Sequence, residues 1–117
     1  MAKISEHLEQ KAVIQWFRTQ YPKYWRCLWA IPNGGKRHIK TAITLKHEGV
    51  LSGVSDLFLM VPKGGWHGLF IEMKAKDGKL TDTQKDFLGT ATMMGYQGSV
   101  CYGFDEAKKI ITDYLHQ

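Results

Sequence analysis

Cysteine is scarce in this chain. Cys27 and Cys101 stand far apart and in no Cys-x-x-Cys spacing, which argues against a disulfide framework or a structural zinc site and makes a reducing compartment the expectation. Long hydrophobic runs are missing as well: no stretch approaches the roughly 18 to 20 apolar residues that span a bilayer. The opening MAKISEHLEQ carries no apolar segment of a secretory signal. A protein away from membranes is therefore expected. GGKR has neither the spacing nor the Ser/Thr of a phosphate-binding Walker loop, and the five histidines form no metal-ligand pattern. No internal repeat, low-complexity tract or linker divides the 117 residues, so one domain over residues 1–117 is expected. Acidic residues are outnumbered, 11 against 16 basic ones, and the net charge of +5 favours a polyanionic partner.

Periodicity supplies the elements. Leu8, Ala12, Val13, Trp16 and Phe17 form one stripe of a helix over residues 5–20, with Ser5 as N-cap. Trp25 to Ile31 reads as a strand ending in the turn Pro32-Asn33-Gly34-Gly35. A short helix from Ile39 to Glu48 stops at Gly49. Asp56 to Val61 and Gly68 to Lys74 flank a turn rich in Pro and Gly, the pattern of a β-hairpin. Thr81-Asp82-Thr83-Gln84 has the form of a capping box opening a helix to about Met94, stopped by Gly95. Ser99 to Tyr102 reads as a strand, and Asp105 as the cap of a last helix burying Ala107, Ile110, Ile111, Tyr114 and Leu115. The order α-β-α-β-β-α-β-α predicts an α/β fold, a mixed β-sheet flanked by helices.

Chemistry concentrates in GVSDLFLMVPKGGWHGLFIEMK. Side chains alternate along a strand, so Phe70, Glu72 and Lys74 share one face and Leu69, Ile71 and Met73 the other. A hairpin centred on Gly64 sets Asp56 opposite Glu72. Two carboxylates and an ammonium then converge beside apolar strands. Adjacent carboxylates repel, and burial costs each several kcal/mol unless something neutralises it. A hard divalent cation removes both penalties and also holds a phosphate and a water. An Asp at a strand start and an exposed Glu-x-Lys ion pair are the plainer reading of the same residues.

Glu9 projects near the middle of the apolar stripe of the first helix and Glu6 nearer its edge. Either fits a partner at a metal, and either fits the positive end of the helix dipole. Gln84 already has a capping role, and a place near substrate comes second on spacing alone. Lys36, Arg37, His38 and Lys40 read as a solvated basic face that follows a tight turn and can approach a DNA backbone.

Asp56 with Glu72-Met73-Lys74 resembles the D…(D/E)-x-K signature of the PD-(D/E)XK nuclease superfamily. With EHLEQ, IPNGGKR, LKHEGVLSGVSDLFL, GLFIEMK, LTDTQKDF and GYQGSVCYG at their spacings, nearly the whole chain is similar to the VRR-NUC domain of the short phage and bacterial type. The resemblance implies a restriction-endonuclease-like core, with Asp56 and Glu72 as metal-binding carboxylates, the Met73 carbonyl as a main-chain ligand and Lys74 as the catalytic lysine. It selects Glu9 over Glu6 as the acidic residue of the first helix and gives Gln84 a place at the site. Asn33, Lys36, Arg37 and Lys40 are expected on DNA. Ser55 stands where the superfamily often has Pro, a departure that touches strand geometry more than chemistry.

The implied activity is Mg²⁺- or Mn²⁺-dependent cleavage of DNA phosphodiesters in the cytoplasm of a bacterial or phage-infected cell. A homodimer resolving four-way Holliday junctions is the expectation, since two-fold symmetry presents one site to each strand. Cutting of flaps or other branched or single-stranded DNA is the alternative. A non-catalytic DNA-binding module is the competing class, and carboxylates clustered against phosphate argue against it.

Overall fold

The computed structural model describes residues 5–32 and 39–117. Helix α1 spans Glu6–Gln20 and is opened by Ser5, whose hydroxyl accepts the Leu8 N–H at 3.2 Å. Its apolar stripe is turned from the expected one: Val13 and Phe17 are fully buried, whereas Leu8 is 54% exposed. The first strand is shorter than its composition predicts. A 3₁₀ turn at Pro22–Tyr24 continues through Trp25 in helical conformation, so β1 covers only Leu28–Ala30. Proline at the start of that turn explains the difference, because its fixed φ suits a tight helical turn and its missing N–H suits a first position.

Helix α2 (Ile39–His47) ends before Gly49, whose φ of +99° is the left-handed stop expected of it. Strands β2 (Leu57–Leu59) and β3 (Leu69–Lys74) form the hairpin. Within its loop Lys63 and Trp66 exchange main-chain hydrogen bonds across Gly64 and Gly65, both at positive φ, the primed turn that matches strand twist. Helix α3 (Asp82–Met93) carries the full capping box between Thr81 and Gln84. Strand β4 (Gln97–Tyr102) and helix α4 (Phe104–Leu115) complete the described elements. Asp105 does not cap α4. The helix starts two residues earlier than that cap would set it, at Phe104, and the N-cap position is Gly103, which has no side chain to offer.

The sheet runs β1-β2-β3-β4, antiparallel except for the parallel β3/β4 pair. It is a mixed α/β sheet of the expected kind. Helices α1 and α4 pack on one face, where Val13, Phe17, Leu28, Leu57, Leu59, Leu69, Ile71, Met73, Ile111 and Tyr114 form the core. The Tyr114 hydroxyl donates to the Val61 carbonyl at 2.6 Å, so its one polar atom is satisfied inside. On the other face Phe58, Phe70 and Tyr96 cluster, and α3 covers them through Phe87, 5.0 Å from Phe70. Trp66 packs against the core, whereas Trp25 and Trp29 stay well exposed. No described helix is long and apolar enough to cross a membrane.

Candidate active site

The hairpin register pairs Leu57 with Ile71 and Phe58 with Phe70. Continued one step, it sets Asp56 opposite Glu72. The ladder is extended beyond the strands by the Ile31 N–H donating to the Asp56 carbonyl at 2.8 Å. The Asp56 carboxylate itself turns onto β3, where its Oδ2 accepts the Met73 N–H at 2.7 Å. That bond fixes the carboxylate beside Glu72.

Glu72 is a carboxylate where the sheet is apolar. It is 3% exposed. Burial first, then the hydrogen bond and negative charge of Asp56, push its carboxyl up from the usual range to about 9, with Lys74 pulling the other way. Its Oε1 is buried and has no hydrogen-bond partner among the described residues. A buried polar atom without a partner requires an explanation, and a bound cation would supply one. No group of three or more His, Cys, Asp or Glu side chains suited to a metal occurs among the described residues. Mg²⁺ needs fewer: one or two carboxylates, waters and substrate phosphate complete its octahedron. The Asp56–Glu72 pair with its orphan oxygen fits such an ion.

These residues open on a cavity of about 800 Å³ lined by Asp56, Glu72, Met73, Lys74, Gln84 and Glu6, with His7, Gln10 and the segment Ala30 to Pro32. Gln84 is thus at the site while its Oε1 accepts the Thr81 N–H at 2.9 Å. The approach of Asp56 to Gln84 depends on Gly53. A Cβ there would lie 2.4 Å from the Thr83 carbonyl carbon, and its φ is +87°, so the chain leading to Asp56 passes against the first turn of α3.

The two acids of α1 separate. Glu6 lines this cavity, its Oε1 accepting the Ala75 N–H at 3.2 Å, and its charge acts on Glu72. Glu9 turns to α4: its Oε2 accepts the Phe104 N–H at 2.6 Å, serving as the cap that Gly103 cannot provide. It lines a neighbouring cavity with Lys74. Helix phase alone left Glu6 and Glu9 nearly even, and the resemblance selected Glu9. The observed centre, Val13 and Phe17, brings Glu6, His7 and Gln10 to the cavity, and nothing in the composition of the first turn separates the two acids. Asn33, Lys36 and Arg37 lie outside the described residues. Lys40 stands in the first turn of α2.

The VRR-NUC domain model matches residues 4–105. The chain belongs to the VRR-NUC family. A solved structure described as a VRR_NUC domain protein is similar at 26% identity and a TM-score of 0.87, covering 99% of this chain and 92% of that one. A search of the curated proteins finds no match. VRR-NUC membership implies a nuclease-type function on DNA, and the carboxylate pair with its adjacent lysine is a chemical arrangement suited to it.

Proposed function

We propose that this VRR-NUC protein is a divalent-metal-dependent DNA endonuclease that resolves four-way junctions as a homodimer. The observation that carries the reading is the buried Glu72, held against Asp56 with an orphan oxygen and with Lys74 two residues on. Asp56, Glu72 and the Met73 carbonyl would hold Mg²⁺ or Mn²⁺. Glu6 would stand beside them as the acid of α1, in the place first expected of Glu9. Bound there, the ion supplies Lewis-acid polarisation of a phosphoryl oxygen and a water of lowered pKa.

The chain's own groups then have distinct tasks. The Lys74 ammonium stabilises charge that builds on the phosphoryl oxygens as the water oxygen bonds to phosphorus and a P–O ester bond breaks. Asp56 keeps its anchor on the Met73 N–H, which fixes its carboxylate beside Glu72 at the cavity. The Gln84 amide NH₂ orients water or phosphate while its carbonyl stays in the capping box. Asn33, Lys36, Arg37 and Lys40 add contacts to the DNA backbone, and a two-fold dimer presents two such sites to paired strands.

The test is cleavage of labelled four-way junction, flap, duplex and single strand with Mg²⁺ and with Mn²⁺, beside Glu72→Ala. Paired symmetric cuts on the junction, lost in the variant, are expected. Cutting confined to flaps or single strands would keep the nuclease and discard the resolvase. Binding without metal-dependent cutting of any substrate would reduce the protein to a DNA-binding module.

A further inference from the structure

A second cavity, about 900 Å³ and within the usual range of ligand sites, adjoins the first, with Lys74 lining both. It lies where β3 and β4 end. These strands are parallel, their last registered pair is Lys74 with Tyr102, and ligands of open α/β sheets bind outside the carboxyl ends of parallel strands. Paired residues share a face, so Tyr102 stands beside the lysine on the side that carries Glu72. Its side chain is 41% exposed, and no aromatic ring packs against it among the described residues.

The loop after β3 folds over this space. Gly78 N–H donates to the Ala75 carbonyl at 2.8 Å, and the turn so closed carries Lys76 and Lys79 into the cavity lining. Neither lysine is in an ion pair among the described residues. Glu9, Asp77 and Glu106 also line the cavity; Asp77 has an interaction of its own, and Glu9 and Glu106 are committed to main chain at the start of α4. Glu9 accepts the Phe104 N–H and Glu106 the Tyr102 N–H, at 2.6 and 3.0 Å, and the helix N-terminus offsets their charge. What remains unpartnered is an aromatic face and two ammonium groups, the combination that binds single nucleic-acid strands.

We infer that this cavity is a subsite for the nucleotide next to the scissile phosphate, its base stacked on Tyr102 and its backbone phosphates on Lys76 and Lys79. The inference rests on the nuclease reading for the identity of its ligand, DNA. Because Lys74 stands between the cavities, a strand leaving the metal site enters the second one without crossing the protein body.

Binding and cleavage separate the two ideas. DNA carrying 2-aminopurine, moved one position at a time along the cut strand, is titrated with the protein in Ca²⁺, with cleavage in Mg²⁺ followed in parallel. One position is expected to change its emission on binding in the wild type and in Tyr102→Phe but not in Tyr102→Ala. Tyr102→Ala should also raise Kd and KM roughly tenfold to a hundredfold, with kcat changed less and with thermal stability held. Lys76→Ala with Lys79→Ala should flatten the dependence of log Kd on log salt by about two. Unchanged affinity and emission in Tyr102→Ala, with wild-type cutting intact, would overturn the subsite and leave the nuclease standing. Tyr102-dependent emission from a protein that cuts nothing would keep the subsite and remove the nuclease.

Discussion

At the scale of single residues the protein is organised around a conflict of charge. Glu72 is buried beside Asp56, and its carboxyl is held up at about 9 by burial and by that neighbour. A carboxyl raised in the folded state stabilises the metal-free protein below its ordinary unfolded value near 4.5, and this contribution is lost as pH rises toward 9. Melting of the protein in chelator should therefore show Tm falling across that window. Glu72→Gln, which stays neutral, should flatten the dependence and raise Tm at pH 8 by several degrees, about 4 °C per kcal/mol. An equal slope in the variant would count against Glu72 as its source. Mg²⁺ added to the wild type at pH 8 should recover stability that it does not recover in Glu72→Gln.

Lys74 permits a sharper separation. It lines the cavity without burying its whole length, and its ammonium lowers the Glu72 pKa from outside the hydrogen-bonded pair. Lys74→Ala should lower the single-turnover cleavage rate by at least about a hundredfold, the cost of removing one preorganised charge from a transition state. Junction affinity should change only a few-fold, as for one lost phosphate contact. Parallel losses of rate and affinity would make Lys74 a binding residue instead.

At the scale of elements, the site depends on how loops and caps aim the strands. Much of this was legible. The sum of positions that sets Asp56 opposite Glu72 around Gly64 is the register observed, because the pleat leaves a buried hairpin few alternatives. The capping box of α3 was equally readable, since both of its hydrogen bonds are local. Glu9 was harder: its partner, Phe104, is 95 residues away, and no local pattern announces a cap contributed by another helix. Glu9→Ala should cost about 1 to 2 kcal/mol, the usual loss of an N-cap, and lower Tm by several degrees. Asp105→Ala, at the residue sequence alone would choose, should cost about 0.5 kcal/mol or less. Gly53 was also invisible, its role being the close passage against Thr83. Gly53→Ala is expected to lower cleavage more than affinity, because it shifts Asp56 relative to Gln84; cleavage within twofold of wild type would show that the passage has slack.

At the scale of the whole molecule, the remaining question is how a chain of 117 residues would make the paired cuts proposed on a junction. One site cuts one strand at a time, so paired cuts demand either two visits or two copies. Apolar side chains left outside the core bear on this. Trp29 and Met60 lie on the sheet face away from α1 and α4, and they are 40% and 52% exposed. Leu51, 61% exposed, borders a small groove with Phe87 of α3. A second copy that buried this side would cover them at a contact of ordinary dimer size, about 1,600 Å² in total. Sedimentation at micromolar concentration should then give twice the 13.4 kDa of one chain, and Trp29→Lys with Met60→Lys should halve it. The same variant should turn simultaneous paired cuts on a junction into single nicks while its rate on one strand persists, because Asp56, Glu72 and Lys74 line one cavity of a single chain. A monomeric wild type that still makes paired cuts would place the pairing in successive visits and remove the dimer from the mechanism.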